Sequence, residues 1–494
     1  MVNLPLASRA HAQPALPTLG DGLDLTAAAE RKLGDRIIRE LYRDPDYIDD
    51  AVLLEYVQGL FQPLLAAARA RGELGADIDE RFAWEILLGR DRSVNAFALP
   101  GGYFGLHLGL IGVVATRDEL ASVLAHELSH VTQRHISRLI SQQGRQTPLM
   151  IGALILGALA AAKSPEAAQA LVVGGQALAV QNQLNFSRDM EREADRIGYG
   201  LMQPAGFAPQ GFVAMFDKLQ QANRINDNGS WPYLRSHPLT TQRIADMQSR
   251  IAHDAPRPAP PTLEHAMMAA RARVLMRPGI DVWRQWLAGP QDAGFATRPQ
   301  PERATAWYAA ALSAMQLSDW TAARKALAGL QQAAQSDAAA LRQARLLGAE
   351  LELTAGAPKA ALALLDAAPE GKDGRAASPR PELLLRAQAL LALGDAAAMA
   401  GPLQTRTTTH PRDAAAWQLL AQVWQQQGQG LRAIRAEAES QVARQDYAAA
   451  VDRFKAGQDL ARRSGGAADY VEASIIDTRL RAVESLLREQ AAER

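Results

Sequence analysis

The sequence predicts a mainly α-helical protein with a small β-sheet in its first half and an array of helices in its second half. Ala- and Leu-rich stretches dominate the second half, and aromatic residues make up only 5% of the chain. Short apolar stretches separated by Gly and Pro residues lie between Phe82 and Leu108, which is the pattern of strands and turns. The length of 494 residues allows two or three domains.

The composition excludes several classes of protein. Lys and Arg together number 53, as do Asp and Glu, so no overall basic field indicates a nucleic-acid partner. The chain has no Cys, which excludes disulfides, thiolate metal sites and cysteine nucleophiles. No apolar run reaches the roughly 18 residues that a membrane-spanning helix needs, so we expect none.

The N-terminal segment has features of a targeting sequence. Ala10-His11-Ala12 fits the small-x-small cleavage pattern of a secretory signal, although the basic and apolar regions before it are very short. We interpret residues 1–24 as the remnant of a signal peptide and a linker, and we expect a periplasmic protein. The alternative is a disordered tail of a cytosolic protein.

The first helices are expected between Leu25 and Arg71. Thr26 is a suitable N-cap for one helix. An apolar stretch from Leu53 to Ala70 predicts another, and Pro63 is expected to interrupt it.

The first half also contains three strand-like stretches, at 82–88, 94–99 and 103–108. They predict a small antiparallel sheet ahead of the next helix. The edge of such a sheet can take an extended substrate by strand addition, which makes Asn95, Ala96 and Phe97 candidate substrate contacts. The alternative is that this stretch is only a strand and a turn.

The stretch 125–131 reads AHELSHV and lies in an apolar helical run that Thr116 can cap, with Glu119 completing a capping box. On a helix, His126 and His130 share one face, so both imidazoles can bind a single zinc ion. Glu127 is then placed to act as general base for water in peptide hydrolysis.

A third ligand is predicted downstream. Glu191 and Asp195 are four residues apart, so both carboxylates share one helix face. Glu191 can complete a His2Glu site with one zinc ion per chain, leaving the fourth position open. Asp195 can hold a ligating imidazole or handle a proton. Glu193 is a weaker candidate because it lies on another face.

Other residues are given no ligand role. His135 is expected to point away from the two ligands, as a surface histidine or one that supports a ligand, and His107 is expected to be structural. A metzincin needs Gly and His at positions where this chain has Gln133 and Ile136. The apolar run 149–162 is too short to span a bilayer, and it predicts a buried hairpin helix or a contact with a membrane surface.

Three stretches together resemble the gluzincin family of the CAAX prenyl proteases and their soluble bacterial relatives. They are NAFALPGG at 95–102, HELSH at 126–130 and SRDMEREAD at 187–195, in the order found in that family. The resemblance implies His126, His130 and Glu191 as zinc ligands, with Glu127 as catalytic base and Asp195 near the site.

The resemblance also covers the segment Trp231–Pro238 and the later Arg243. In soluble relatives the histidine of this segment can approach zinc and mask it, so the resemblance implies His237 as a candidate switch ligand. The alternative is a histidine that only stabilises its loop. Arg243 is implied as a residue that supports this loop or the metal site.

Beyond a Pro-rich linker at 256–262, the chain has the pattern of tetratricopeptide-like repeats. The clearest repeat has the spacing of a first helix (helix A) at Trp417, Leu420, Ala421 and Trp424. The spacing of a second helix (helix B) of the last repeat is found at Tyr447, Ala450 and Phe454. The stretch from Trp307 to Leu327 repeats this scheme, and weaker copies start near 347 and 387. We predict a helical solenoid over 263–494, with an unrelated Ala-rich bundle as the alternative.

The expected fold is therefore a zincin-type metallopeptidase domain at 25–255 with a small β-sheet, followed by a tetratricopeptide-like solenoid. This arrangement resembles a group of periplasmic proteases that assist β-barrel assembly, although such proteases commonly have cysteines and the repeats here are degenerate. The resemblance implies cleavage of misassembled outer-membrane proteins, with the repeats docking on the barrel-assembly machinery. A repeat-based chaperone or scaffold whose protease site is held shut by His237 remains open.

Overall fold

The structure is a computed structural model that describes residues 25–142, 187–224, 231–251, 261–367, 379–464 and 467–492. The predicted fold class is confirmed, because helices dominate these residues and one four-stranded sheet accompanies them. The predicted signal remnant, the apolar run 149–162 and residues 256–260 of the predicted linker lie outside the described residues.

The elements of the first half surround one central helix, α5. Their bounds are α1 Ala27–Arg43, β1 Tyr47–Ile48, α2 Ala51–Ala70, α3 Ala76–Arg81, β2 Glu85–Gly89, β3 Ala96–Leu99, β4 Tyr103–His107, α4 Leu108–Val113, α5 Arg117–Thr132, α6 His135–Gln142, α7 Arg188–Met202, α8 Gln210–Arg224, α9 Tyr233–Ser236 and α10 Thr241–Ile251. Helices α2, α7 and α8 and strand β3 all pack against α5.

The start of α5 has the predicted cap in a modified form. The Thr116 hydroxyl accepts from the backbone N–H of Glu119 at 3.2 Å. The Glu119 carboxylate reaches back to the N–H of Ala115 at 2.8 Å, one residue earlier than in a regular capping box. Both bonds satisfy backbone donors at a buried helix end, so the first turn of α5 is fixed in place.

Helix α2 is continuous, so the predicted interruption at Pro63 is wrong. A proline in a helix costs about 3 kcal/mol. The burial of Leu53, Leu60, Phe61 and Leu64 on α2 outweighs this cost, because each such side chain contributes about 1.5–3 kcal/mol.

Among the described residues, α2 alone is long and apolar enough to cross a bilayer, judged by length and composition only. More than half of its most apolar stretch is buried inside this fold, as is usual for a core helix.

The sheet is mixed rather than antiparallel, which corrects the prediction. Its strand order is β1-β2-β4-β3, with β2 parallel to β4 and the other two pairs antiparallel. The turn between β3 and β4 needs a left-handed backbone at Gly101 and Gly102, both at φ +77°. This turn places β3 at an edge of the sheet, beside α5.

The second half is a succession of helices. Their bounds are α11 Leu263–Leu275, α12 Ile280–Ala288, α13 Gln300–Gln316, α14 Trp320–Ala334, α15 Ala338–Thr354, α16 Pro358–Asp366, α17 Arg380–Leu393, α18 Ala400–Thr409, α19 Ala414–Gln426, α20 Gly430–Ala443, α21 Tyr447–Ser464 and α22 Ala467–Ala492. Neighbours in sequence pack side by side from α13 to α17 and from α18 to α22. This packing supports the predicted solenoid, which remains a prediction as to repeat type.

The two halves are joined by apolar packing and by charge. Helix α11 packs against α2 and α4, and one apolar core runs from Ala27 to Ala389. Buried Arg271 on α11 binds Asp50 at the start of α2 at 2.7 Å and Glu350 on α15 at 2.8 Å. Further arginines of the second half reach acidic residues of the first half, in the pairs Arg342–Glu55, Arg380–Asp49 and Arg412–Glu85.

Candidate metal centre

Helix α5 presents the two histidines of the HExxH motif side by side. His126 and His130 are both buried, and their Nε2 atoms are 3.0 Å apart. The spacing of four residues produces this pairing, as the sequence predicted. Both rings therefore direct Nε2 to one point.

Helix α7 brings the predicted carboxylates to the same point. Glu191 Oε2 is 3.4 Å from His126 Nε2, and Glu191 Oε1 is 3.5 Å from His130 Nε2. Asp195 lies one turn further on, and its Oδ1 is 3.0 Å from His126 Nδ1. When Nε2 gives its lone pair to a metal, the remaining N–H at His126 Nδ1 can donate to this carboxylate.

A glycine permits this close crossing of α5 and α7. A Cβ placed on Gly198 would lie 3.1 Å from the backbone carbonyl of Ala125, the residue before His126. A larger side chain at this position would push α7 away from α5. Gly198 thereby allows Glu191 and Asp195 to reach the histidines.

His237 lies at the same point from a different part of the chain. Its Nδ1 is 3.0 Å from Glu191 Oε1 and 3.3 Å from His126 Nε2. The ring of Tyr233 stacks on the His237 ring with centroids 4.6 Å apart, and both residues are buried. His237 is thus held against the cluster by its own α9 segment.

The four side chains fit a metal ion. One nitrogen or oxygen from each of His126, His130, Glu191 and His237 lies within 4.8 Å of all the others. A tetrahedral zinc site with bonds of about 2.0–2.1 Å has donors about 3.3 Å apart. The separations that involve His126 or Glu191 are 3.0 to 3.5 Å and agree with that value. Imidazole and carboxylate donors without thiolates also suit zinc.

Glu127 lies beside this cluster without a hydrogen bond of its own. Both carboxylate oxygens are buried and make no hydrogen bond within the described part of the chain. Oε1 is 3.5 Å from His237 Nε2. A buried carboxylate with free lone pairs next to a metal-binding cluster is suited to accept a proton.

Arg243 balances the charge of the two α7 carboxylates. Its guanidinium is buried, donates to both oxygens of Asp195 at 2.6 and 2.9 Å, and places Nη1 2.8 Å from Glu191 Oε2. Burial raises the pKa of Asp195, but Arg243 outweighs burial and holds that pKa below its ordinary value. Burial likewise raises the pKa of Glu191, but His237 and His126 hold it well below the ordinary range.

The two α5 histidines differ in their affinity for protons. Burial lowers the pKa of His126, but hydrogen bonds to Asp195 and Glu191 raise it more, to about 9. Burial and the neighbouring His126 lower the pKa of His130 well below 6.5. A metal ion entering the cluster therefore has to displace a proton from His126.

His135 is buried, so the expectation that it points away to the surface is wrong, and the alternative of a histidine that supports a ligand agrees with its position. Its Nδ1 is 2.9 Å from His130 Nδ1, on the side of that ring opposite the cluster. Its Nε2 is 3.1 Å from Glu193 Oε2, and Arg138 binds the same oxygen at 2.9 Å. Spacing gave no signal for this contact, because α5 ends between the two histidines.

The predicted substrate-edge residues lie near α5 but outside the four-residue cluster. Asn95 O accepts from His107 N at 3.0 Å, and Ala96 is paired with Leu106 on β4. The Phe97 ring lies over Gly105, where a Cβ would be 2.0 Å from Cζ. His107 itself is buried and bonds to Ser93 at 2.9 Å.

A comparison with known families accounts for this geometry. The profile of peptidase family M48 matches residues 65–251. The beta-barrel assembly-enhancing protease of Escherichia coli is 30% identical over 421 residues, which cover 84% of this chain and 80% of that protein. The chain belongs to peptidase family M48. The predicted enzyme class, a metallopeptidase, is confirmed.

Other relatives match over shorter stretches. The beta-barrel assembly-enhancing protease of Yersinia pestis is 33% identical over 272 residues, 55% of this chain and 54% of that protein. A Vibrio cholerae protein that is provisionally named as the same kind of protease is 38% identical over 273 residues, which cover 54% of this chain and 53% of that protein. The chain thus spans about half the length of these two relatives. Mitochondrial metalloendopeptidase OMA1 of Saccharomyces cerevisiae is 28% identical over 196 residues, 39% of this chain and 54% of that protein.

Proposed function

We propose that this M48 protein is a zinc-dependent endopeptidase that acts on unfolded or misassembled proteins of the bacterial envelope. The observation that carries the proposal is the buried carboxylate of Glu127, without a hydrogen bond among described residues, beside four converging metal donors. Apart from the 3.5 Å contact with His237 Nε2, no stabilising contact among the described residues explains this carboxylate, and an unsatisfied buried acceptor destabilises a fold. Its placement suits proton transfer.

In this proposal, His126, His130 and Glu191 hold one zinc ion per chain. Zinc, when bound, supplies a Lewis acid that polarises the scissile carbonyl and acidifies water. Glu127 takes a proton from the attacking water and returns it to the leaving amine. Asp195 fixes the tautomer of His126, and its bonds to Arg243 support this positioning role over a role in proton transfer.

We further propose that His237 is the switch ligand of this site. Its Nδ1 lies among the metal donors, where it takes the position that water and substrate need. The backbone N–H of Tyr233 also donates to the carbonyl of Val94 at 3.4 Å, just before strand β3. This contact supports the substrate-edge proposal, in which an extended peptide pairs with Asn95, Ala96 and Phe97 and displaces the α9 segment.

The relatives supply the biological setting of the proposal. Several are named as beta-barrel assembly-enhancing proteases, which favours a role in the quality control of outer-membrane β-barrel proteins. We propose a periplasmic location, tetratricopeptide-like repeats that dock on the barrel-assembly machinery, and peripheral contact with the membrane. The side-by-side helix packing of the second half supports such a docking surface.

Glu127→Gln tests the chemistry. The amide keeps the size and polarity of the side chain but cannot accept a proton, so the variant should bind zinc like the wild type and lose cleavage of casein. Zinc content by atomic emission and casein cleavage are measured on the same preparation. Cleavage at the wild-type rate would rule out Glu127 as the base.

The second candidate function is a repeat-based chaperone or scaffold with a latent protease site. The observation in its favour is that His237 already lies among the metal donors. His237→Ala discriminates the two functions, since the peptidase proposal expects faster casein cleavage once the fourth position is free. If wild type and variant are both inert while both bind an unfolded client, the scaffold function is favoured.

A further inference from the structure

The His130 imidazole has a polar partner on each side. Its Nε2 faces the metal donors, with His126 Nε2 at 3.0 Å, and its Nδ1 is 2.9 Å from His135 Nδ1. His135 Nε2 is in turn 3.1 Å from the carboxylate of Glu193. His130 and His135 are fully buried, whereas the Glu193 side chain is 30% exposed.

The geometry allows one continuous order of donors and acceptors. A metal at His130 Nε2 requires the lone pair of that nitrogen, so the proton of the neutral ring must be on Nδ1. This N–H then donates to His135 Nδ1, which makes His135 Nε2 the protonated nitrogen of the second ring. That N–H donates to Glu193, whose negative charge stabilises the whole series.

The break between α5 and α6 produces this arrangement. Five residues along an uninterrupted helix, His135 would face away from His130. The chain turns at Arg134, which has a left-handed backbone with φ 53°. This conformation is unfavourable for a residue with a Cβ. The Arg134 guanidinium offsets the cost through its ion pair with buried Glu30 at 3.1 Å.

We propose that His135 and Glu193 are positioning residues that fix the tautomer and the ring orientation of His130 for metal binding. The inference rests on the metal site of the proposed function and deepens it. Ligating histidines commonly donate their second N–H to a carboxylate or a carbonyl, and loss of such a partner weakens metal binding by about 10–100-fold. Here a second histidine extends that contact to a carboxylate at the protein surface.

The test measures zinc affinity by competition with a chromophoric chelator, so its readout does not depend on cleavage. His135→Phe should weaken zinc binding by about 10–100-fold, and Glu193→Ala should have an effect near the lower end of this range. Arg138→Ala is the matched control, because it removes the same surface ion pair but leaves His130, His135 and Glu193 in contact. It should bind zinc like the wild type.

His135→Asn separates positioning from mere packing. The Asn oxygen lies where His135 Nδ1 lies, so it can accept from His130, but it cannot reach Glu193. This variant should recover part of the affinity that His135→Phe loses. Adding Glu193→Ala to His135→Asn should then cost nothing further, because the connection is already cut.

The outcomes separate this inference from the proposed function. If the wild type binds no zinc, the proposed metal site fails. If the wild type binds zinc and Glu193→Ala matches Arg138→Ala, the positioning role alone is overturned. Glu193→Ala keeps the test decisive even where His135→Phe fails to fold, because Glu193 is partly exposed.

Discussion

Replacing Arg243 by Met should destabilise the metal-free protein far more than the zinc-loaded protein. The Arg243 side chain is 3% exposed and contacts the carboxylates of Asp195 and Glu191. Removing one partner of a buried ion pair costs about 3–5 kcal/mol, because the remaining charge is uncompensated. Zinc at the neighbouring donors supplies positive charge near both carboxylates, so the cost should be smaller when zinc is bound.

The same change should reverse the pH dependence that Asp195 contributes. In the wild type the pKa of Asp195 is below its ordinary value, so its stabilisation is present at neutral pH and lost as pH falls through that pKa. Without Arg243, burial raises the pKa of Asp195 and the contacts with His126 are left to oppose it, so we expect the pKa to rise. The penalty is then largest at neutral pH and becomes smaller as pH falls through the raised pKa.

Thermal unfolding followed by circular dichroism, with EDTA or with zinc at pH 7 and pH 5, measures both effects. A loss of 3–5 kcal/mol corresponds to a fall in midpoint of about 6–20 °C for a domain of this size. The midpoint of Arg243→Lys should lie between those of the wild type and Arg243→Met, since lysine keeps the charge but loses the two-point contact with Asp195. Equal midpoints for wild type and Arg243→Met in EDTA at pH 7 would refute the reasoning.

Three further predictions follow from other contacts. Arg271→Met should lower the thermal midpoint, because it leaves two carboxylates without their shared cation, whereas Met at the exposed Arg284 should not. Gly198→Ala should weaken zinc binding, measured by chelator competition, since the new Cβ would lie 3.0–3.1 Å from its neighbours. Ala at Gly200 meets only the end of a flexible arginine and serves as the control. Burial lowers the pKa of His265 to about 4 from 6.5. As pH falls from 6.5 toward 4, the unfolded chain binds a proton that folded His265 does not, so stability should fall by about 3 kcal/mol. His265→Gln should remove this fall, as measured by unfolding at a series of pH values.

Local spacing could largely predict which side chains of the candidate metal centre lie together. A separation of four residues on a helix places two side chains on one face, so the pairs His126–His130 and Glu191–Asp195 could be predicted without a fold. Helix caps could also be predicted, since the Thr116 hydroxyl accepts from the backbone N–H of a residue only three positions away. The mainly helical class followed from composition and periodicity.

Tertiary structure decided every contact between distant segments. The sheet mixes parallel and antiparallel pairs because β4 lies between β2 and β3. The alternation of apolar and polar residues along a strand does not indicate which strands are neighbours. Pro63 stays inside α2 because packing outweighs a local propensity. The burial of His135 depends on the left-handed backbone at Arg134. Gly is the residue that usually indicates this conformation, so no residue type in the sequence indicates it here.

The metal centre shows the same division. Local spacing identified the two separate halves of the site, one on α5 and one on α7. Their meeting depends on the close crossing at Gly198, and the approach of His237 depends on stacking with Tyr233. Such contacts join residues far apart in the chain, so their free energies depend on packing that a local pattern does not encode. The sequence alone therefore determined which groups could bind a metal, and the tertiary structure decided which of them meet.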